Sequence, residues 1–343
     1  MWESFMTDDG LPLEFSWDWG TGTSQPTIRY SIEPVGPNAG TPVDPFNLLI
    51  IPSFGSQLAD ALPHTNLEWY RHFLNFFRTT DHQCRNKKSF QDHNTSIFYA
   101  FDLKTDITAK AYFFPHYRAL QCNQTALQVL KAAIQSAPNA SEANLTALSM
   151  FIRFSNERSG AGFEYDMLAI DLVDPLKSRL KIYFRCREMT FEVVKEIMSL
   201  GGHGKQETLR RGLNDLRSLW HALFTDHTRL EETEHRTAGL LFNVEIKLGD
   251  VFLYPKVYLS VRHYSRSDEA VARAIGRFLH ARNRGTYVPA YNNALATLFG
   301  SETLAARSDA HTYIGCSILE DGSLRLVSYI KPPHPSGTAG RDP

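Results

Sequence analysis

The sequence predicts an α+β fold in which ten antiparallel β-strands close into a barrel around a central lumen, with α-helices outside. Three observations predict it. Five pairs of segments alternate apolar and polar residues, helix-period segments lie between the pairs, and a Lys-x-Tyr pattern returns in successive pairs. The order is therefore two strands followed by two helices, repeated along the chain.

Each pair of alternating segments is predicted to be a hairpin, because a turn signal separates its two halves. Gly-Thr-Gly, Lys-Thr-Asp, Asp-Pro, Gly-Asp and Asp-Gly occupy these turns, and such residues close tight turns. The strands of a hairpin are antiparallel neighbours. The pairs span residues 11–34, 97–115, 164–185, 240–262 and 312–332.

Segments of helical period lie between the hairpins. Thr190 and Ser267 are suitable N-caps, and the paired glycines at 201–202 suit a helix end. Such helices must cover one face of the sheet, and a sheet of ten antiparallel strands tends to curl and close. The predicted helices span residues 57–78, 126–137, 142–157, 190–200, 207–224 and 268–282.

The segment "SRLKIYFR" (178–185) indicates which strand face lines the lumen. Arg179, Lys181 and Tyr183 alternate with apolar residues, so the polar side chains share one face of the strand and the apolar ones the other. The apolar face is expected to pack on the helices. The polar face is left for the lumen.

The same polar pattern recurs on the second strand of other hairpins. Lys110 and Lys181 are 71 residues apart, and Lys181 and Lys256 are 75 apart, so the pattern keeps the period of the repeat. Buried cations repel one another, and a multiply charged anion would offset that cost. Tyrosine ring faces stabilise cations. The pattern therefore predicts a site for an allylic diphosphate that ionises. Its members are Arg29, Lys110, Tyr112, Arg179, Lys181, Tyr183, Lys256 and Tyr258, with Tyr313 opening the fifth hairpin.

Composition argues against several classes of protein. The 343 residues carry a net charge of −1, so no global field attracts nucleic acid or an anionic membrane. No apolar run approaches the roughly 20 residues that span a bilayer. The start, "MWESFMTDDG", has neither the basic nor the apolar region of a secretory signal. We expect a soluble, cytoplasmic protein without nucleic-acid or membrane partners.

No metal site is predicted. The four cysteines are scattered without a CxxC pair, no DDxxD motif occurs, and no two histidines lie four residues apart with a carboxylate on one helix. The segment "GGHGKQE" (201–207) is similar to a phosphate-binding loop. It follows a helix, however, and Lys205 precedes Gln rather than Ser or Thr, so it is not a Walker A motif.

Several ordered motifs together resemble the fungal indole (dimethylallyltryptophan synthase-type) aromatic prenyltransferases. They are "MTDDGLPLEFSW", "IRYSIEP", "SRLKIYFR", "EIMSLGG" and "YPKVYLSVRHY", and the resemblance runs from about residue 2 to 332. It implies the ABBA barrel of that family. It also implies metal-independent Friedel–Crafts transfer of a prenyl group, usually dimethylallyl, onto an electron-rich aromatic ring in fungal secondary metabolism.

The resemblance implies roles for single residues. Glu14 in "PLEFS" matches the glutamate that contacts the indole N–H and helps to activate the ring. The positions matching the diphosphate-binding residues are Arg29, Lys110, Arg179, Lys181 and Lys256. Those matching the tyrosines that shield the carbocation are Tyr112, Tyr183, Tyr258 and Tyr313.

The chain departs from the family pattern at two places. Members that prenylate tryptophan at C4 place a lysine just before the strand that here reads "IFYAFDL", where this chain has Ile97 and Phe98. This difference favours a cyclic dipeptide or another aromatic acceptor over free tryptophan. The helical region before "TDDG" is also shorter than in the family.

We therefore expect residues 1–331 to form a single barrel domain with a shortened N-terminal helical region. Residues 332–343, rich in Pro and Gly, are expected to be a disordered tail. The expected partners are dimethylallyl diphosphate and an aromatic acceptor, such as the indole of a tryptophan derivative or cyclic dipeptide, and a homodimer is left open. The alternative is a non-catalytic barrel that binds an isoprenoid diphosphate or an aromatic ligand.

Overall fold

A ring of ten antiparallel strands forms the centre of the computed structural model, which describes residues 2–22, 24–78, 93–104, 106–158, 162–200, 206–224 and 234–333. Each strand pairs with its neighbours in sequence, and β10 closes on β1, so the predicted barrel and its five hairpins are confirmed. The strands are β1 (Leu13–Asp18), β2 (Thr27–Ile32), β3 (Ile97–Asp102), β4 (Thr108–Phe113), β5 (Glu164–Asp171), β6 (Leu180–Cys186), β7 (Leu240–Ile246), β8 (Tyr254–Leu259), β9 (His311–Ile318) and β10 (Leu324–Ile330).

Helices occupy the connections between hairpins. Thr190 and Ser267 cap two of them as predicted, accepting hydrogen bonds from the backbone N–H groups three residues later. The glycines at 201–202 lie outside the described residues. The helices are α1 (Ile51–Ala61), α2 (Glu68–Phe77), α3 (His116–Cys122), α4 (Ala126–Gln135), α5 (Thr146–Glu157), α6 (Phe191–Met198), α7 (Gln206–Phe224), α8 (Val261–Tyr264), α9 (Asp268–His280), α10 (Val288–Phe299) and α11 (Ser301–Ala306).

The helix predictions were wrong in two respects. The segment 57–78 is not one helix, because Pro63 follows the end of α1 and the side chain of Asn66 accepts the N–H of Glu68 (2.8 Å) where α2 begins. The other error is omission. The helices α3, α8, α10 and α11 were not predicted, since three of them have seven residues or fewer and show little periodicity.

The hydrophobic core lies between the outer face of the barrel and the helices. Phe184 on β6 is fully buried, with its ring 5.3 Å from that of Phe151 on α5 and 5.6 Å from that of Phe242 on β7. Its neighbours Leu180 and Ile182 are buried in the same cluster. Burial of each such side chain contributes about 1.5–3 kcal/mol. The predicted apolar face of this strand therefore packs outward, as expected.

The antiparallel order gives the barrel two distinct ends. All five hairpin turns lie at one of them, the turn end, and the longer connections lie at the other, the far end. The first strand of each hairpin runs towards the turn end and the second runs back. The position of an inward-facing residue along its strand therefore indicates which end of the lumen that residue lines. In the described part of the chain, no helix has the length and apolar character needed to cross a membrane.

Candidate active site

Two cavities share the lumen, and a layer of four tyrosines separates them. The turn-end chamber, of about 740 Å³, is lined by the exposed Lys104 and by six cations that are not exposed: Arg29, Lys110, Arg179, Lys181, Lys256 and Arg325. The far-end chamber, of about 120 Å³, is lined by Glu14, Phe98, Met167, Arg185, Leu241 and Arg262, among others. The tyrosine layer, whose members line both chambers, consists of Tyr112, Tyr183, Tyr258 and Tyr329.

The tyrosine layer is held together by ring contacts and hydroxyl hydrogen bonds. The hydroxyls of Tyr183 and Tyr258 are 3.2 Å apart, and the side-chain amide of Asn243 donates to the Tyr258 hydroxyl at 2.9 Å. The Tyr258 ring lies 5.5 Å from that of Tyr329, and the Tyr112 ring 5.9 Å from that of Tyr183. Burial raises the pKa of each phenol. The layer therefore presents neutral ring faces, which stabilise a cation.

Carboxylates face the cations of the turn-end chamber in a regular register. The cation on the second strand of a hairpin lies directly opposite a carboxylate on the first strand of the next hairpin. The pairs are Arg29 with Asp102, Lys110 with Asp171, and Lys181 with Glu245. The repeated hairpins therefore carry a repeated cation–carboxylate pair.

These carboxylates also bridge neighbouring cations. The Asp102 carboxylate lies 2.6 Å from Lys110 Nζ and 3.0 Å from Arg29 Nε. Asp171 is bound by Arg179 Nε at 2.5 Å and lies 3.4 Å from Lys181 Nζ. The adjacent cations hold the pKa of both carboxyls below its usual value against the opposing effect of burial. Both carboxylates are therefore ionised at neutral pH.

Positive charge remains in excess in this network. Asp18 binds Arg29 and Arg325, and Glu245 accepts a hydrogen bond from Arg179 at 3.3 Å. Six cations that are not exposed face four carboxylates, which leaves two positive charges when both Lys110 and Lys256 are protonated, whereas the exposed residues Lys104, Glu320 and Asp321, which also line the chamber, add a net charge of −1. The carboxylates are Asp18, Asp102, Asp171 and Glu245. An anion of more than one charge would balance the remainder.

Lys256 is held differently from the other cations. It forms no ion pair within the described residues. Instead, its Nζ donates to the Tyr329 hydroxyl at 3.0 Å and lies 4.4 Å from the centre of the Tyr258 ring. Burial, and then the charge of Arg29, hold its pKa well below the usual value. At Gly315 a Cβ would lie 2.7 Å from Lys256 Cε, so glycine makes room for this lysine.

Lys110 is a second lysine of this chamber with a lowered pKa. Burial, and then the charge of Lys181, lower its pKa to about 7. The turn-end chamber therefore holds two lysines whose protonation a bound anion would favour.

Glu14 lies in the far-end chamber near the start of β1. The hydroxyl of Thr312 on β9 donates to its Oε1 at 2.7 Å. Burial raises the pKa of the Glu14 carboxyl to about 7. A carboxylate of that basicity can take up a proton near neutral pH.

Arg185 and Tyr313 form a second polar group in the far-end chamber. Arg185 Nη1 donates to the backbone carbonyls of Thr237 (2.7 Å) and Ala238 (3.2 Å), while Nη2 lies 3.4 Å from both Asp166 and the Tyr313 hydroxyl. Tyr313 thus contacts Arg185 and does not line the turn-end chamber. The shield role implied for Tyr313 stays a prediction.

A three-residue cluster at the same end has the donor types of a metal site. Ligand atoms of Asp8, His235 and His263 lie within 4.8 Å of one another. The Thr237 hydroxyl lies between them, 2.8 Å from Asp8 Oδ1, 2.9 Å from His235 Nδ1 and 2.8 Å from His263 Nε2. Arg262 Nε lies 2.6 Å from Asp8, and its positive charge opposes a bound cation. The expectation of no metal stays a prediction.

Several residues of the site were missed in the sequence. Arg185 continues the alternation of Arg179, Lys181 and Tyr183, so the signal for it was present. Arg325 and Tyr329 lie on β10 four residues apart with Val327 between them, which breaks the Lys-x-Tyr pattern. The four carboxylates lie on β1, β3, β5 and β7, the first strands of their hairpins, and the predicted pattern concerned the second strands. A small difference concerns Arg179, which precedes β6 rather than lying within it.

Known proteins resemble this chain along nearly its whole length. The sequence profile of the tryptophan dimethylallyltransferase family matches residues 1–294. The 4-O-dimethylallyl-L-tyrosine synthase of Claviceps purpurea (strain 20.1) is 36% identical over 345 residues, which cover 96% of this chain and 76% of the relative. The 7-dimethylallyltryptophan synthase of Aspergillus fumigatus (strain Af293) is 33% identical over 340 residues, covering 96% of this chain and 72% of the relative.

A solved structure has the same architecture. The crystal structure of NotF in complex with brevianamide F and DMSPP superposes with a TM-score of 0.83 at 25% identity, covering 96% of this chain and 82% of that one. The predicted closed barrel and the family resemblance are both confirmed by these comparisons.

Proposed function

This chain belongs to the tryptophan dimethylallyltransferase family and is a prenyltransferase, and from that premise we propose that it transfers a dimethylallyl group from dimethylallyl diphosphate to an aromatic acceptor in the lumen. The observation that carries the proposal is the tyrosine layer, which divides a strongly cationic chamber from one that combines apolar side chains with Glu14. A substrate with a diphosphate at one end and a carbocation-forming prenyl group at the other would span this division.

The diphosphate would bind in the turn-end chamber, where charge and geometry favour it. Lys256 lacks a carboxylate partner among the described residues, and the cation network carries excess positive charge once Lys110 and Lys256 are protonated, which a bound anion favours. Charge-assisted hydrogen bonds contribute roughly 1.5–3 kcal/mol each. The residues proposed to bind diphosphate are Arg29, Lys110, Arg179, Lys181, Lys256 and Arg325.

The reaction would proceed by ionisation and then attack by the acceptor ring. The bond between the prenyl C1 and the diphosphate oxygen breaks, and the electron pair leaves with the diphosphate. The allylic cation is then surrounded by the ring faces of the tyrosine layer, which stabilise it and exclude water. Ring attack forms the new C–C bond, and transfer of the proton on the alkylated carbon to the released diphosphate restores aromaticity.

The acceptor would lie in the far-end chamber beside Glu14. A carboxylate with a pKa of about 7 can accept a proton from an indole N–H or a phenol as the ring becomes electron-poor. Relatives named for tyrosine and tryptophan prenylation support an aromatic acceptor of this kind, either an indole of a tryptophan derivative or cyclic dipeptide, or a phenol.

In the proposed mechanism no metal ion is required, because the cations of the turn-end chamber neutralise the leaving diphosphate. The proposal treats residues 1–331 as one domain acting in the cytoplasm, and the predicted tail falls largely within residues 334–343, outside the described part of the chain. Nucleic acid, membrane and a second protomer have no role in it.

A mass-spectrometric screen tests the proposal. The protein is incubated with dimethylallyl diphosphate and excess EDTA, together with tryptophan, tyrosine, tryptophan-containing cyclic dipeptides or hydroxylated polycyclic aromatics. A product heavier by one prenyl unit supports the enzyme and names its acceptor class. Diphosphate binding without product from any acceptor would favour the alternative, a barrel that binds its ligand without turnover.

A further inference from the structure

Three side chains with the donor types of a transition-metal site meet at the far end of the lumen, and we refer to them as the Asp8 cluster. They come from distant parts of the chain, with Asp8 ahead of β1, His235 ahead of β7 and His263 on α8. One ligand atom from each lies within 4.8 Å of the other two, and all three residues are partly exposed. Asp8 and His263 line the far-end chamber. An ion in solution can therefore reach the cluster.

The hydroxyl of Thr237 lies at the centre of the Asp8 cluster. Its oxygen is 2.8 Å from Asp8 Oδ1, 2.9 Å from His235 Nδ1 and 2.8 Å from His263 Nε2. Zn²⁺ takes carboxylate oxygens and imidazole nitrogens at about 2.0–2.2 Å. An ion in the place of this hydroxyl would thus need each ligand atom to move inward by less than about 1 Å, with the Thr237 side chain turned away.

The contacts around the Thr237 hydroxyl hold more lone pairs than hydrogens. The backbone N–H of Thr237 donates to His235 Nδ1 at 3.2 Å, so that nitrogen carries a lone pair and no hydrogen. Asp8 Oδ1 belongs to a carboxylate and is likewise only an acceptor. The hydroxyl has a single hydrogen and can serve one of the two atoms, although both lie 2.8–2.9 Å from its oxygen. A metal ion would accept lone pairs from both atoms at once.

The donor set determines which ion fits the Asp8 cluster. Two imidazole nitrogens and one carboxylate oxygen, with a further position left for water, are typical of zinc sites. Mg²⁺ and Ca²⁺ instead prefer sites that are made of oxygen ligands alone. The cluster therefore suits Zn²⁺, and the same donors also bind Co²⁺.

Arg262 limits the affinity of this cluster for a cation without blocking it. Its Nε binds the second oxygen of Asp8, Oδ2, at 2.6 Å, which leaves Oδ1 for an ion. The positive charge of Arg262 nevertheless opposes a cation beside it. We therefore expect reversible binding rather than permanent occupancy.

We infer that the Asp8 cluster is a reversible binding site for Zn²⁺ in the wall of the far-end chamber. Asp8 would bind the ion through Oδ1, His235 through Nδ1 and His263 through Nε2. The inference departs from the absence of a metal site that the sequence predicts. The ion has no part in the proposed mechanism of prenyl transfer.

Occupation of the site should inhibit prenyl transfer, and this consequence rests on the proposed function. Burial raises the pKa of the Glu14 carboxyl, and the negative charge of Asp8 adds to this effect. A divalent cation on Asp8 would reverse the contribution of Asp8 and make Glu14 a weaker base. Zn²⁺ is therefore expected to slow turnover.

Calorimetric titration of the metal-free protein with Zn²⁺ tests the site without requiring turnover. We expect a single ion to bind, and no saturable binding of Mg²⁺ over the same concentrations. Titration with Co²⁺ should give the visible absorption of a site with nitrogen and oxygen ligands. The absence of Zn²⁺ binding would overturn the inference. Similar affinities for Mg²⁺ and Zn²⁺ would also overturn it, because carboxylates alone would then attract the ions.

Substitutions then locate the ion. His235→Ala and His263→Ala should each weaken Zn²⁺ binding by about 100-fold or more, because losing a residue that only supports a ligand already costs about 10- to 100-fold. His221→Ala removes an exposed histidine of α7 and is the matched control, which should leave the affinity unchanged. Thermal unfolding without metal reports whether each variant folds. Unchanged affinity in either cluster variant that folds would overturn the assignment.

Arg262→Gln tests the position of the ion independently. Glutamine keeps a hydrogen-bond donor for Asp8 Oδ2 and removes the positive charge, so Zn²⁺ should bind about tenfold tighter. Equal or weaker binding would overturn the placement of the ion on Asp8.

Inhibition is measured separately from binding. Zn²⁺ at concentrations that saturate the site should lower the rate of product formation by the unaltered protein, and His235→Ala should resist this inhibition. Zn²⁺ binding without inhibition would overturn the regulatory consequence. A protein that binds Zn²⁺ but makes no product in its absence would refute the proposed function alone, since metal binding is measured without substrates.

Discussion

Lys256 lies opposite Ser317 in the barrel. The equivalent cations of the three preceding hairpins each lie opposite a carboxylate on the following strand. The charge repeat is therefore interrupted at one place only among these four hairpins. The consequence is a lysine whose charge the protein does not compensate, beside cations whose charges are largely compensated. A ligand diphosphate would supply the missing negative charge at this position.

Completing the charge repeat should therefore weaken diphosphate binding. Ser317→Asp would place a carboxylate opposite Lys256, and we expect the affinity for dimethylallyl S-thiolodiphosphate to fall by about tenfold or more. Calorimetric titration measures it. Ser317→Asn, which has the same size without the charge, is the control. Equal effects of the two substitutions would mean that size rather than charge is responsible.

Binding of the diphosphate should take up protons. The pKa of Lys110 is about 7, so this lysine is largely neutral in the free protein above pH 7, and burial holds the pKa of Lys256 well below its usual value. A bound anion raises both pKa values. Affinity should therefore fall as pH rises from 7 to 9, by up to about tenfold per unit for each group that must be protonated.

Titration at pH 8 in buffers with different ionisation enthalpies measures this uptake. Lys110→Met should reduce the number of protons taken up. A binding heat that does not depend on the buffer would contradict the prediction.

Glu14→Gln should separate catalysis from donor binding. Glu14 lies in the far-end chamber, so we expect turnover to fall by about 10²- to 10⁴-fold, the usual contribution of a general base, with little change in diphosphate affinity. In the unaltered enzyme kcat/KM should rise with pH up to about 7, because the base must be ionised, and then level off. The variant should lack this rise. Parallel losses of turnover and donor affinity would assign Glu14 a structural role.

Removing one ring of the tyrosine layer should let water reach the allylic cation. Tyr258→Ala opens the layer between the chambers, and we expect a larger share of the donor to end as prenyl alcohol rather than as prenylated acceptor. Tyr258→Phe keeps the ring and removes the hydroxyl, so its product ratio should stay close to that of the unaltered enzyme. Chromatographic quantification of both products decides. An unchanged ratio in Tyr258→Ala would show that the ring does not exclude water.

The sequence predicted the features that depend on the alternation of side chains along a strand, which has a period of two residues. Lys181 and Tyr183 could be assigned to one face because strand geometry alone fixes that relationship. The partners of these cations, such as Asp171, could not be assigned, since ion pairing depends on the register between strands and not on the order within one. Arg262 was beyond reach for another reason. It lies on a four-residue helix without periodicity, and its ion pair with Asp8 joins residues that are far apart in the sequence.

The separation of the two strand faces has a consequence for how this protein can change over time. Stability resides in the backbone ladder and in outward residues such as Phe184, whereas the chemistry resides in inward residues such as Tyr183 beside it. Substitutions in the far-end chamber can therefore alter the range of acceptors while the barrel persists. Proteins with this arrangement can acquire new acceptors by point mutation. A laboratory library that varies only the inward-facing positions should likewise change the acceptor range and contain few unfolded variants.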